Sequence, residues 1–298
     1  PAHDAGAAPD TPAATQAVPA EVVRGVRGAA ERMRRAIDRA DSGAYMAAID
    51  ATDPVFAEEQ RKWARDLRTR PVASVELAVM AGQAHPAPAG DAWVVPFSIA
   101  WTLPGENQAR SDAYLALFRP VGLPDGAWVY AGRLWESLPS DHARILVAPG
   151  DADAAEMGRY IATRVAELRA SVEAELGVAL PVDPTIKIYP DMVSLQSSIA
   201  LSYTDSLGGW NEPGESIKLL ARPGLAGPRM DPLVAHELGH AVSFEFGPAI
   251  NGAPWWALEG IAEIAADPFR ESLPRRAAAR LAERNELIDF ARLADFRG

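Results

Sequence analysis

The sequence predicts an α+β protein built from two modules. Three stretches with helical periodicity fill residues 21–67, and four strand-like runs follow them as far as residue 135. Beyond residue 143, strand and helix patterns alternate and lead into a helix that carries the string His236-Glu237-Leu238-Gly239-His240. A chain of 298 residues, 48% of them hydrophobic, is long enough to fill two cores.

Residues 1–20 form a run rich in Pro, Ala and Thr with almost no large apolar side chain, which predicts a disordered tether. The chain begins with Pro1 rather than methionine, as it would after removal of a signal peptide or a membrane anchor. We therefore expect an exported protein, located at the cell surface, in the periplasm or outside the cell. The competing interpretation is that the sequence simply starts here and that the protein is cytoplasmic.

Residues 21–138 form the predicted first module. Apolar residues recur every three or four positions in its helical stretches, whereas its strands alternate and are separated by Pro, Gly or Asn turns. The predicted helices are 21–40, 42–49 and 54–67, and the predicted strands are 72–81, 92–101, 109–118 and 127–135. Three helices followed by an antiparallel meander with inward aromatic side chains resemble the cone-shaped NTF2-like fold. This resemblance implies an interior that holds a ligand or docks a partner, although we interpret the aromatic residues chiefly as core.

Residues 143–298 form the predicted second module. Its predicted strands are 145–147, 185–189 and 216–221, and helices are predicted at 153–176 and 191–201. Asp231-Pro232 indicates the start of the next helix, because an aspartate can cap free amide groups and a proline suits the first turn. Gly247-Pro248 indicates its end. A further short helix is predicted between Pro254 and Asp267.

The string His236-Glu237-Leu238-Gly239-His240 is the main candidate for a functional site. Residues four apart lie on one face of a helix, so His236 and His240 can present two imidazoles to one metal ion. Catalytic zinc takes three protein ligands, and Glu259, separated from His240 by eighteen residues, is the best third donor in a chain without cysteine. Glu237 is placed to take a proton from the attacking water. The alternative is a chance motif on a solvated helix.

At these residues the chain resembles the gluzincins, the zinc peptidases with two histidines of His-Glu-x-x-His and a downstream glutamate as ligands. The eighteen-residue gap is similar to that of the M1-type aminopeptidase clan. The resemblance implies that His236, His240 and Glu259 bind one Zn²⁺ per chain and that Glu237 is the catalytic base. It also implies that Glu263 hydrogen-bonds a ligand histidine. The alternative for Glu263 is an exposed glutamate that contacts a residue one turn away.

The resemblance implies a zincin-like α+β metalloprotease domain whose outer strand lies along the cleft and pairs with an extended substrate. We predict that strand at residues 216–221, with Ser216, Ile217, Lys218 and Leu219 as substrate-binding residues. The loop before it is expected to overhang the site. Glu212 or Glu215 could bind a substrate amino terminus, but the clan's Gly-x-Met-Glu-Asn string is absent, so a solvated loop is the preferred interpretation.

One role of the family has no obvious residue in this sequence. Gluzincins supply a tyrosine or histidine beyond the third ligand to stabilise the oxyanion, yet no tyrosine follows Tyr203 and no histidine follows His240. Either the carboxyl-terminal part of the domain is missing from this chain, or the role falls to Tyr203, to a main-chain amide or to nothing.

The net charge and the hydropathy of the chain exclude some classes of binding partner. The net charge of -11 argues against nucleic acid or an anionic membrane as the main partner, and no apolar stretch approaches the eighteen residues of a spanning helix. The predicted function is a zinc metallopeptidase, of the endopeptidase kind, that acts on peptides or proteins. Two alternatives remain: a binding protein whose first module carries the function while the zinc domain is inactive or structural, and a zinc hydrolase for a non-peptide amide. The oligomeric state is not predicted.

Overall fold

A computed structural model describes residues 17–122 and 127–289, together with residue 292. The mixed α+β class is confirmed. Residues 1–16 of the predicted tether lie outside the described residues. The helices found there are α1 (Ala20–Asp38), α2 (Ser42–Met46), α3 (Pro54–Thr69), α4 (Ala152–Leu176), α5 (Met192–Ile199), α6 (Asp231–Ser243), α7 (Trp255–Ala266) and α8 (Leu273–Glu283). In this part of the chain no helix has both the length and the apolar character to cross a bilayer.

The strands form two sheets. They are β1 (Ser74–Val79), β2 (His85–Pro86), β3 (Trp93–Thr102), β4 (Arg110–Pro120), β5 (Trp128–Arg133), β6 (Glu136–Leu138), β7 (Arg144–Val147), β8 (Thr185–Tyr189), β9 (Gly209–Trp210) and β10 (Ile217–Leu220). The first sheet is antiparallel in the order β1-β3-β4-β5, with β2 paired to β3. The second has the order β6-β7-β8-β10-β9, with a parallel centre and antiparallel strands at both edges.

The first module packs helices α1 to α3 against the first sheet. Helix α1 buries an apolar stripe at helical spacing that includes Val26, Met33 and Ile37. Helix α3 starts where the Asp53 carboxylate accepts hydrogen bonds from the amides of Val55 and Phe56. The core between these helices and the sheet contains the predicted inward aromatics of β3, β4 and β5.

The second sheet is covered on both faces. Ile186 and Ile188 of β8 face the core made by α4 and α6, whereas the alternate residue Lys187 points to the first module. Helix α3 of that module supplies Glu59, which accepts a hydrogen bond from Lys187 at 2.5 Å. The two modules are therefore packed together over this sheet and are not merely linked in sequence.

Helix α5 and the residues after it also contact the first module. The Trp63 and Trp101 indoles donate hydrogen bonds to the backbone oxygens of Ser197 and Leu201, at 3.0 and 2.8 Å. Leu201 is buried in the first core. The second module thus covers the part of the first module around Trp63 and Trp101.

Two expectations about the second sheet are wrong. The strand at residues 216–221 is not the outer strand, because β9 pairs along its free side and takes the edge position. Strand β6, which the predicted boundary left in the first module, pairs with β7 in the second sheet. Both errors arise from strands of two or three residues, which are too short to show alternation in sequence.

Candidate metal centre

Helix α6 carries the His-Glu-x-x-His string. Its apolar residues Val234, Leu238 and Val242 are fully buried, which turns the face with His236 and His240 toward α7. The helix ends at Ser243 and continues as a single 3-10 turn up to Gly247.

The predicted capping role of Asp231 is wrong. Helix α6 has no side-chain cap at its start, and Asp231 is its first residue. The carboxylate instead accepts hydrogen bonds from Tyr160 at 2.8 Å and from Arg164 at 2.9 Å, both on α4. Asp231 therefore fixes α6 against α4, and a tertiary contact replaces the local one.

A glycine brings α7 close to α6. A Cβ atom added to Gly239 would lie 2.7 Å from the Ala265 Cβ and 3.0 Å from the Ala262 Cα. Both distances are shorter than van der Waals contact, so only glycine permits this helix separation. The close approach brings Glu259 of α7 to the two histidines of α6.

Three donor groups meet at this point. The Nε2 atoms of His236 and His240 are 3.2 Å apart; Glu259 Oε2 lies 3.3 Å from the first, and Glu259 Oε1 lies 3.5 Å from the second. In tetrahedral coordination with bonds of about 2.0–2.1 Å, ligand atoms are separated by roughly 3.3–3.4 Å. The structure thus brings the three predicted ligands together as a group that could hold one metal ion, with one ligand atom from each residue within 4.8 Å of the others. Hydrogen bonds from both histidines lower the pKa of Glu259 to about 2, which keeps this donor ionised.

Glu263 lies one turn beyond Glu259. Its carboxylate is 3.2 Å from His236 Nδ1, an ion-pair distance without a well-aligned hydrogen bond, and it also pairs with Arg270. Glu263 therefore stands where the sequence predicts it, behind a candidate ligand. Arg270 was not predicted, since a single arginine after the helix carries no recognisable spacing.

Glu237 is buried beside the three donors. Its Oε2 atom has no hydrogen-bond partner among the described residues, an arrangement that leaves it open to a reacting group. Burial raises the pKa of Glu237 to about 7, although the neighbouring His240 and His236 act in the opposite direction. A carboxyl group of this kind can exchange protons near neutral pH.

The edge strand β9 lies directly against Glu237. A Cβ atom added to Gly209 would lie 2.3 Å from Glu237 Oε1, and Asn211 donates a hydrogen bond from Nδ2 to the Glu237 backbone oxygen at 3.3 Å. The Leu220 amide donates to the Gly208 oxygen. Antiparallel pairs alternate, so the amide and carbonyl of Gly209 point away from β10 toward the open edge. These residues belong to the loop that is expected from the sequence to overhang the site. Sequence reasoning did not predict that part of it forms an edge strand against Glu237, although the Gly208-Gly209 pair before Trp210 is a signal of close backbone approach.

The four predicted substrate-binding residues do not face this site. Ser216, Ile217, Lys218 and Leu219 are buried in or next to the internal strand β10, so this prediction is wrong. The physical reason is that both faces of β10 are covered. Ser216 and Lys218 face the first module, where they contact Glu59, whereas Ile217 and Leu219 are buried in the core with α4 and α6.

The remaining predicted residues lie on the other face of β9. Glu212 and Glu215 form ion pairs with Lys62 of α3, at 2.9 and 3.5 Å. The Tyr203 ring packs edge-on against Trp210, 5.2 Å between centroids. Trp210 follows Gly209 and points to the opposite face, so Tyr203 stands on the side turned away from Glu237.

The interior of the first module is a second candidate site. It holds a cavity of about 80 Å³ whose polar lining includes Asp112 and Arg133. Arg133 donates to Asp112 at 2.7 Å, and Asp112 also accepts hydrogen bonds from Ser194 and Ser197 of α5. These polar groups are paired with one another and closed in by the second module. The three candidate metal ligands lie outside this cavity.

Comparisons with protein-family models, with curated proteins and with solved structures find no match to this chain.

Proposed function

We propose that this protein is a zinc-dependent endopeptidase with His236, His240 and Glu259 as metal ligands and Glu237 as general base. The observation that carries the proposal is the convergence of two imidazoles and one carboxylate: the two Nε2 atoms are 3.2 Å apart, and each lies within 3.5 Å of one Glu259 oxygen. Two imidazoles and one carboxylate are a ligand set of catalytic zinc, which keeps a fourth position for chemistry. We propose in addition that the second module has a zincin-like fold and the first an NTF2-like fold.

The residues around the ligands have defined roles in this proposal. Zinc, when bound, supplies Lewis acidity that polarises the substrate carbonyl and acidifies the attacking water. Glu237 takes the proton of that water at its unpartnered Oε2 and passes it to the leaving amine. Glu263 keeps the ring of His236 in orientation, and Arg270 holds the Glu263 carboxylate in turn.

An extended peptide is the substrate that best fits the surroundings. The open edge of β9 offers the amide and carbonyl of Gly209 for main-chain pairing, next to Glu237. Such pairing holds the backbone in a fixed position relative to the base, which lowers the entropic part of the barrier.

The endopeptidase assignment rests on the two acidic residues near the edge strand. An exopeptidase of this kind needs a carboxylate available to a substrate amino terminus, and Glu212 and Glu215 are paired with Lys62. Glu215 also binds the buried Lys218. Neither carboxylate is therefore available to anchor a chain end. The binding-protein alternative has less support in the interior of the first module, because the cavity there, about 80 Å³, is well below the roughly 300 Å³ at which ligand pockets begin; a pocket of about 600 Å³ lies outside this interior, between the first sheet and residues 148–151.

The first experiment measures zinc content and peptide cleavage in the same samples. Wild type, Glu237→Gln and Glu259→Ala are purified, zinc is determined by elemental analysis, and cleavage of a diverse peptide library is followed. We expect one zinc per chain in wild type and Glu237→Gln, less in Glu259→Ala, and cleavage by wild type alone. Zinc without cleavage in wild type would remove the peptidase proposal, and a wild type that binds no zinc would remove the metal site as well.

A further inference from the structure

A pocket lies between the two modules on the far side of the edge strand. Its volume is about 370 Å³, and β9 contributes Trp210 to its wall. The opposite wall is the exposed side of α3 in the first module, with Arg65, Asp66, Thr69 and Arg70. Tyr203, packed edge-on against Trp210, forms the base between them.

The pleat of β9 connects this pocket to the metal centre. Gly209 pairs with Leu219, which faces the core below α6, whereas Trp210 pairs with Lys218, which faces the first module. A peptide strand added to the open edge of β9 alternates in the same way. Its side chains therefore point in turn toward the metal helix and toward the pocket below α3.

In the described part of the chain, some charged side chains in the pocket have a partner of opposite charge, and Arg65 does not. Lys62 is paired with Glu212 and Glu215, and the Asp66 carboxylate accepts hydrogen bonds from Arg70 at 2.6 Å and from Ser202 at 2.6 Å. Arg65 is exposed and has no acidic partner among the residues that the structure describes. The pocket thus combines an aromatic base with one uncompensated guanidinium, which suits a carboxylate held by a two-point hydrogen bond.

We propose that α3 of the first module forms a substrate subsite that accepts an acidic side chain of an extended peptide paired to β9. Arg65 is the specificity-determining residue, and the Tyr203–Trp210 pair packs against the aliphatic part of the bound side chain. This inference rests on the proposed peptidase function for the path of the substrate. It assigns part of substrate recognition to the module that does not carry the metal ligands.

The test compares peptides that differ by one charge. A set of fluorescein-labelled ten-residue peptides carries Glu, Gln or Lys at each position in turn, and cleavage is measured with wild type, Arg65→Ala, Arg65→Glu and Arg68→Ala. Arg68 is exposed on the same helix but outside the pocket, so it is the matched control. We expect wild type to prefer the Glu peptide at one position. In Arg65→Ala a higher KM for that peptide should weaken the preference roughly three- to tenfold. Arg65→Glu should prefer Lys at the same position, and Arg68→Ala should behave like wild type.

Binding to Glu237→Gln separates this inference from the proposed activity. Fluorescence polarisation with the same peptides and the zinc-loaded variant measures the charge preference without turnover. A Glu preference that depends on Arg65 supports the subsite even if wild type cleaves nothing. Equal affinity for the Glu and Gln peptides, a preference that is unaffected in Arg65→Ala, or no binding of any peptide overturns it.

Discussion

Single residues decide how closely the backbone of the edge strand approaches the proposed base. Gly209 has no side chain, and its backbone therefore lies against the carboxylate of Glu237. The neighbouring Gly208 has more room, since a Cβ added there would be 3.5 Å from Arg222 and 3.6 Å from Leu233, which is ordinary contact. The two glycines thus form a matched pair with different tolerance for one methyl group.

We predict that Gly209→Ala lowers kcat/KM about a hundredfold while zinc content stays at one per chain. The added methyl group moves either the strand or Glu237, and a displacement near 1 Å at the reacting groups has an effect of this order. The measurement is the kinetics of the best library peptide together with elemental zinc. Gly208→Ala serves as control and should keep most of the activity; equal losses in both variants would contradict the argument.

The candidate ligands could be identified from sequence, but their surroundings could not. Two histidines four apart and a glutamate on the next helix are local patterns, and the structure brings all three together. Asp231 also follows a local pattern, yet its carboxylate is bound by Tyr160 and Arg164. Contacts with α4, more than sixty residues earlier in the chain, leave no signal in the sequence around Asp231.

The packing of α6 against α7 sets the position of Glu259, the third candidate ligand. Helices α6 and α7 approach at Gly239, and Glu259 reaches the histidines only at that separation. Gly260, the residue after Glu259, has no atom within 4 Å of an added Cβ. Glycine is therefore required on α6 and dispensable on α7.

We predict that Gly239→Ala weakens zinc binding by about one to two orders of magnitude, because α7 must move away and take Glu259 with it. Overpacking should also cost about 1–3 kcal/mol of folding free energy. Competition with a chromogenic chelator and urea unfolding provide the two measurements. Gly260→Ala should leave zinc affinity unchanged and raise stability slightly, by up to about 1 kcal/mol. Tight zinc binding by Gly239→Ala would show that α7 is not positioned by this contact.

Element type was predictable wherever a segment was long enough to show its period. The four predicted strands of the first module correspond to β1, β3, β4 and β5. Sheet order was not predictable, because β9 has only two residues and the pairing of β8 with β7 and β10 joins strands that are far apart in the sequence. Lys187 lies between two isoleucines in β8, a pattern that predicts a strand with one solvent-exposed face. In the structure that face is covered by α3.

The two modules meet at a buried group of charges. Glu59 of α3 lies within ion-pair distance of Lys187 and Lys218, at 2.5 and 3.6 Å, and Lys218 also pairs with Glu215. Burial alone would raise the pKa of Glu59, but the two lysines lower it to about 2. Burial lowers the pKa of Lys187 despite its partner, whereas two carboxylates raise that of Lys218. Glu59 is therefore the carboxylate that both buried lysines share, with Lys187 as its hydrogen-bonded partner.

We predict that Glu59→Gln destabilises the whole protein at neutral pH by about 3–5 kcal/mol, because it leaves the buried Lys187 without its carboxylate partner and Lys218 with Glu215 alone. The folded pKa of Glu59 is lowered, so its contribution is present above about pH 4.5 and is lost as the pH falls toward 2. The difference in unfolding free energy between wild type and Glu59→Gln should therefore shrink from pH 7 to pH 3, measured by urea denaturation. Glu58→Gln removes only the pair with Arg61 and is the control. A difference that is independent of pH would contradict this assignment.

The contacts between the modules also fix the order in which the chain can complete its fold during synthesis. Glu59 can accept its hydrogen bond from Ser216 only after another 157 residues have been made. Trp101 can donate to the Leu201 oxygen only after another 100 residues. At about 5–20 residues per second, the first of these intervals lasts roughly 8–30 s on the ribosome. During that time Glu59 and the part of the first module that the second module later covers are exposed to solvent. The part of the chain made first therefore completes its contacts only after residue 216 has been made, and the helices that carry the candidate ligands, α6 and α7, are synthesised after that.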